Sequence, residues 1–147
     1  MKPATQSSAN RMAGPVLKRE RVALAEICRM VVEEASRAHP DADVVFNDWN
    51  EASGVWDRQQ MIQLVRDLFS SAFAHGGPGS SILVSVSQSG ENALLVVVSS
   101  RQPGNCPSEV SALLRVREIV HAHGGQTLLI VRNNDRFCHV SLPRCAT

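Results

Sequence analysis

The chain is expected to fold as an α/β domain, a two-layer α+β sandwich in which three helices cover one face of a mixed sheet. Three observations carry that expectation. Apolar residues recur at helical spacing in three separate stretches, 23–38, 58–74 and 109–123. Short segments rich in Val, Ile and Leu, bounded by turn residues, follow each of them and read as strands. At 147 residues the chain has the length of a single domain with a sizeable core.

Composition narrows the function classes. The chain is 44% hydrophobic and 20% charged, with a net charge of +1, which gives no reason to expect nucleic acid or an acidic membrane as a partner. No apolar run approaches the ~20 residues of a membrane span. The first fifteen residues, MKPATQSSANRMAGP, lack the apolar centre of a secretory signal. A cytoplasmic protein without membrane insertion is therefore expected. Cys28, Cys106, Cys138 and Cys145 show no C-x-x-C spacing; Cys28 and Cys138 fall in apolar patterns and read as buried thiols, and no metal site is expected.

In chain order, residues 1–19 are rich in Ser, Ala and Pro and are expected to form a loose tail, with 20–145 as the folded domain. Lys18, Arg19 and Arg21 make too small a basic cluster to be more than a solvated segment. The first helix, Ala23–Ala38, places Leu24, Ile27, Cys28, Val31, Val32 and Ala35 on one face and ends at His39-Pro40. Asp43–Asn47 and Gly54–Trp56 read as short strands. Asp57 is a cap candidate for the central helix, whose buried face is Met61, Leu64, Val65, Leu68, Phe69, Ala72 and Phe73. Its other face, with Asp67, Ser70, Ser71 and Ala74, is small or polar and on an arbitrary helix would be solvated. The run His75-Gly76-Gly77-Pro78-Gly79 stops it.

Strands Ser81–Gln88 and Ala93–Ser99 follow, joined by Ser89–Asn92 as a hairpin. The second is almost continuously apolar, as a strand covered on both faces, or nearly so, would be. Ser100–Pro107 is turn chemistry, and Ser108 is a cap candidate for the last helix, with Val110, Leu113, Leu114, Ile119 and Val120 as its apolar face and Arg117 at the edge. Gly124 closes it, and Gln126–Val131 with Arg136–Leu142 form a final hairpin. His121 and His123 stand two apart on a helix and point apart, so they read as a polar helix end rather than a metal pair. Ser71 and His75 stand four apart, within contact on one face, but a Ser–His pair has no evident third member here.

The string from Asp57 to Gly79 resembles the central helix of the ATP-binding domain of bacterial sensor histidine kinases, the histidine-kinase-like ATPase (Bergerat) fold. There the helix is written roughly D-R-x-x-L-x-Q-V-L-x-N-L-L-x-N-A-x-x-H-G-x-P-G. This chain matches at Asp57, Arg58, Gln63, Leu68, Ala72, His75, Gly76 and Gly79, and departs at both asparagines, where it has Asp67 and Ser71. L-A-E-I-C-R-M-V-V-E-E followed by H-P-D resembles the first helix and turn of that domain, and V-R-E-I-V-H-A-H-G-G-Q ending in S-L-P-R resembles its last helix, glycine pair and final strand. The resemblance spans Arg19 to Arg144.

It also implies what has changed. The family holds Mg²⁺ through an asparagine at the position of Ser71, and Asp67 replaces the other asparagine with an acidic group near the polyphosphate. The family reads adenine with an aspartate in a D-x-G-x-G turn; here Ser99–Gly104 is S-S-R-Q-P-G, with no aspartate and one glycine. The family inserts a long lid with a glycine-rich phosphate loop before the last helix; here only Ser100–Pro107 stands there. The resemblance therefore implies a degenerate form lacking the lid and glycine boxes, with Asp67, Ser71, His75 and Arg101 as vestigial nucleotide-site positions and no catalytic residue or metal ligand.

The first 19 residues are too few for a phosphoacceptor hairpin, and none of the five histidines precedes an acidic residue. The function implied is a module of two-component-type signalling that neither binds nor hydrolyses ATP and acts through a protein partner, a response regulator or a sensor-kinase component. The alternatives are a minimal domain with a rebuilt site for ATP and Mg²⁺, using Asp67, Ser71 and Arg101, or a phosphotransfer accessory protein.

Overall fold

The computed structural model describes residues 16–100 and 111–145. Expectations for residues 1–15, for Arg101 and Cys106, for the loop they lie in and for the Ser108 cap fall outside the described residues.

A strand not expected from the sequence opens the fold. β1 (Arg19–Ala23) pairs antiparallel with β3 (Ser53–Asp57) in a small two-stranded sheet. Only Val22 of β1 is fully buried, so the strand carries almost no apolar alternation by which to recognise it. Between them lie α1 (Leu24–Ala38) and β2 (Asp43–Asp48). After β3 come α2 (Arg58–Gly76), the hairpin β4 (Ser81–Ser89) and β5 (Asn92–Ser100), α3 (Ser111–Ala122), and the hairpin β6 (Gln126–Arg132) and β7 (Asp135–Pro143).

The main sheet runs β2-β4-β5-β7-β6, with β2 parallel to β4 and every other pairing antiparallel. This is the expected mixed sheet with its three helices. Its inner face brings Ile82, Val84 and Val86, then Ala93, Leu95 and Val97, then Cys138, Val140 and Leu142 into the core. The predicted face of α2, Met61 to Phe73, is buried against them. Arg66 of α2 reaches Glu34 of α1 at 2.8 Å on the outer side.

Two details differ from the sequence reading. β5 is the middle strand, but only one of its faces is fully covered: Leu94, Val96 and Val98 are half-buried by their neighbours in the sheet. The phase of α3 is rotated, so that Leu113, Val116, Ile119 and Val120 are buried while Leu114, at 56% exposed, and Arg117 point outward. The stripe 113, 116, 120, 123 satisfies the helical period better once His123 is counted among the inward groups.

Asp57 caps α2 as expected, its carboxylate accepting from the Gln60 N–H at 3.2 Å and from the Lys18 N–H at 3.0 Å. Burial pulls that carboxyl upward, but the Lys18 and Gln60 N–H donors with nearby His123 pull it further down, below the usual carboxylate range. The far end of α2 closes on Gly77, whose φ of 76° favours glycine. At Gly76 a β-carbon would lie 2.4 Å from the Ser80 β-carbon, so glycine lets the last turn sit directly on the start of β4.

Candidate functional site

Four residues of α2 stand four apart, Gln63, Asp67, Ser71 and His75, and therefore line one stripe of the helix. The stripe is not solvated. Asp67, Ser71 and His75 are 4%, 2% and 7% exposed. Buried polar side chains require partners, and each of these has one on a different element.

Asp67 is held by Arg115 of α3 in a two-pronged pair, Nε to Oδ2 at 2.5 Å and Nη2 to Oδ1 at 2.6 Å. Gln63 donates to Oδ1 of the same carboxylate at 3.0 Å. The fork matches planar guanidinium to planar carboxylate, and the hydrogen bond to Asp67 raises the Arg115 pKa above its ordinary value. Asp67 therefore does not stand as an uncompensated negative charge.

Ser71 accepts from Arg136 Nη2 at 2.6 Å. Arg136 lies at the start of β7 and is 6% exposed. Strand alternation puts it on the same inward face as Cys138, Val140 and Leu142. Burial lowers its pKa from the ordinary arginine value, with Cys138 acting weakly the other way. One turn on, His75 Nδ1 lies 2.9 Å from Ser99 Oγ on β5, and Ser99 is the cross-strand partner of Arg136. Ser71 and His75, four apart on the helix, are thus tied to neighbouring strands, Ser71 to Arg136 of β7 and His75 to Ser99 of β5.

The oxygens of Asp67 and Ser71 face guanidinium groups, whereas a Mg²⁺ site wants converging oxygen ligands and no adjacent positive charge. Among the described residues no group of three or more His, Cys, Asp or Glu side chains is placed to hold a metal ion. Burial pushes the Cys28 thiol up to about 12, which leaves it unreactive.

The reading of His123 as part of a polar helix end is corrected, since this residue is 3% exposed. Its Nδ1–H donates to the Ile119 carbonyl at 2.9 Å and its Nε2 accepts from the Asp57 N–H at 3.1 Å, which fixes the neutral tautomer. Burial lowers its pKa below the usual imidazole range. His121 is exposed, so the two imidazoles do point apart.

No protein-family model and no curated protein matches the chain. Solved structures do. The catalytic domain of the histidine kinase ThkA matches with a TM-score of 0.74 at 21% identity, over 88% of this chain and 97% of that one. The chain has the fold of a histidine kinase catalytic domain. The mycobacterial sensor histidine kinase MprB matches at a TM-score of 0.73 and 18% identity, over 88% of this chain and 99% of that one. A histidine kinase from Burkholderia phymatum matches at 0.76 and 12% identity, over 97% and 78%. At such identities the likeness is one of fold. A further ThkA structure, in complex with the response regulator TrrA, matches at 0.73 and 21% identity, and this chain spans 46% of that kinase chain.

Of the sequence-assigned positions in this histidine kinase fold, Asp67, Ser71 and His75 lie together on the α2 stripe, and Arg101 is outside the described residues. The sequence reading missed Arg115, Arg136 and His123. For Arg136 a signal existed: the alternation of β7 puts an arginine in line with three core residues, which demands a polar partner. For Arg115 there was none, because its residue lies on the solvent side of α3 and only the tertiary approach of α2 gives it a role.

No helix among the described residues is long and apolar enough to cross a membrane.

Proposed function

We propose that this domain is a degenerate histidine-kinase-like module of two-component-type signalling, one that neither binds nor hydrolyses ATP and works through protein contacts. The observation that carries the reading is the Arg136–Ser71 hydrogen bond of 2.6 Å. By the resemblance, Ser71 stands where the kinases hold Mg²⁺, and here the neighbouring charge is a guanidinium. The Ser71 hydroxyl is already engaged by that guanidinium, and like charges at contact distance repel, which disfavours a divalent cation at the same oxygen. The missing adenine aspartate and the short 101–110 segment between β5 and α3 support the same reading.

The partner proposed is a response regulator or a sensor-kinase component, supported by the fold and by the ThkA complex with its regulator. A second reading has Arg136 in its favour. Arginine recognises phosphate, so a rebuilt site would take the nucleotide without metal. Calorimetric titration of ATP with Mg²⁺, and again with excess chelator, separates the two. No binding in either arm is expected. Binding that persists in the chelated arm supports the metal-free site, and binding that requires Mg²⁺ overturns the ATP-free reading in favour of the rebuilt site for ATP and Mg²⁺.

A further inference from the structure

The two edges of the main sheet are treated differently. The β2 edge carries Asp43, Asn47 and Asp48, and Asp48 is further engaged by Arg29 at 3.0 Å. Charge of this kind is how sheets discourage pairing with another chain. The β6 edge has none of it. Between Gln126 and Arg132 it reads T-L-L-I-V, without charge or proline. Leu128, Leu129, Ile130 and Val131 are 57%, 44%, 40% and 63% exposed.

Among the described residues, its apolar side chains stay exposed on both faces. Leu128 and Ile130 lie beside His139 and Phe137 on the open side of the sheet, and Leu129 and Val131 beside Cys138 and Arg136 on the helix side. On the helix side Leu129 and Leu114 of α3 border a groove of about 490 Å³. A helix laid on one face would leave the other bare. A strand added along the edge supplies side chains to both faces and pairs the open backbone.

We propose that β6 pairs antiparallel with β6 of a second copy of this chain, centred on Leu129, to give one sheet running through two domains. The segment is self-complementary in that register. Leu129 meets Leu129 at the two-fold axis, Leu128 meets Ile130, and Thr127 meets Val131. The single charge, Arg132, meets Gln126 rather than another arginine. Such an isologous contact closes after two copies, and the two-fold keeps the helices of both copies on the same side. Leu114 of α3 then borders apolar side chains of both strands across the groove.

Sedimentation of the full chain over a concentration series tests this. A species of twice the 16.0 kDa chain mass is expected. Leu129→Lys faces like charges across the axis and should raise the dissociation constant by about tenfold or more; its circular dichroism should be unchanged because the site is surface-exposed. The register is read by oxidation in a Cys106→Ser/Cys138→Ser/Cys145→Ser background, which removes the thiol opposite Leu129. Leu129→Cys should cross-link to its own copy, and Thr127→Cys, which faces Val131, should not. A monomer throughout the micromolar to millimolar range overturns the proposal, as does a dimer indifferent to Leu129→Lys. No nucleotide or signalling partner enters the measurement, so it is independent of the reading of the α2 stripe.

Discussion

Arg136 of β7 donates to the hydroxyl of Ser71 of α2 at 2.6 Å, and both residues are buried. The bond joins the central helix to a strand 65 positions later in the chain. It places a cation beside the position where, by the resemblance, a sensor kinase carries its metal-binding asparagine; three expectations follow from the stripe it belongs to, and a fourth from His123 and Asp57 at the head of the same helix.

Ser71→Asn will not restore binding of Mg-ATP. The longer amide meets the Arg136 guanidinium, and Ser99–Gly104 still holds no aspartate where, by the resemblance, the kinases read adenine. A hydrogen bond to a charged group is worth roughly 1.5–3 kcal/mol, so that loss alone costs about tenfold to a hundredfold in affinity. Calorimetry on Ser71→Asn and on Asp67→Asn/Ser71→Asn should give no saturable heat. Micromolar binding by the single variant would sink the idea of a site dismantled at several places.

Removing either end of the Arg136–Ser71 bond should destabilise the fold, and removing both should cost less than the sum. A coupling of about 1.5–3 kcal/mol is expected for a hydrogen bond to a charged donor. Urea denaturation of Arg136→Met, Ser71→Ala and the double variant measures it. Additive effects would mean that the two side chains are neighbours without an energetic link.

Arg115→Ala leaves the Asp67 carboxylate buried without its counter-charge, and the melting temperature should fall. Asp67→Asn in the same background should recover part of the loss, since a neutral amide tolerates that position better. The comparison is made by thermal denaturation at fixed salt. Equal melting temperatures for wild type and Arg115→Ala would show that the pair contributes nothing.

Stability should decline as the medium is acidified, in two windows. His123 has a lowered pKa in the fold, while the unfolded chain titrates near about 6.5. Below that value the unfolded state binds a proton that the folded state does not, so stability is complete above it and falls as pH drops through it. Around His123 stand the Asp57 carboxylate, which favours its protonation, and Arg19, which opposes it.

The Asp57 carboxyl is itself lowered. Its contribution persists above the unfolded carboxylate value of about 3.9 and is lost as pH falls further, toward the folded value. Urea midpoints should therefore drop between about pH 7 and 5, and the slope there should vanish in His123→Gln. A flat profile for the wild type would contradict the buried neutral imidazole.

What the sequence alone determined is the layered architecture and the identity of the central helix. The face from Met61 to Phe73 repeats with the helical period, and the strand after it sets Ile82, Val84 and Val86 on one side with period two. Both are local consequences of which residues flee water, so they are legible without knowing what packs on what. The Asp57 cap and the glycine stop after His75 are equally local. By the resemblance, Asp67 and Ser71 in the same window take positions where those kinases carry asparagine.

What only the tertiary structure decided is how those polar groups are satisfied. Asp67 meets Arg115, Ser71 meets Arg136, His75 meets Ser99, and the Asp57 N–H meets His123, and these pairs span 24 to 66 positions of sequence. β1 belongs to the same class, since a strand with one buried residue exists because β3 offers it hydrogen bonds. Periodicity reports which side of an element is apolar, but a buried polar group is defined by its partner. The partner is chosen by the approach of whole elements in three dimensions, where leaving a charge or hydroxyl unpaired costs more than any local preference supplies.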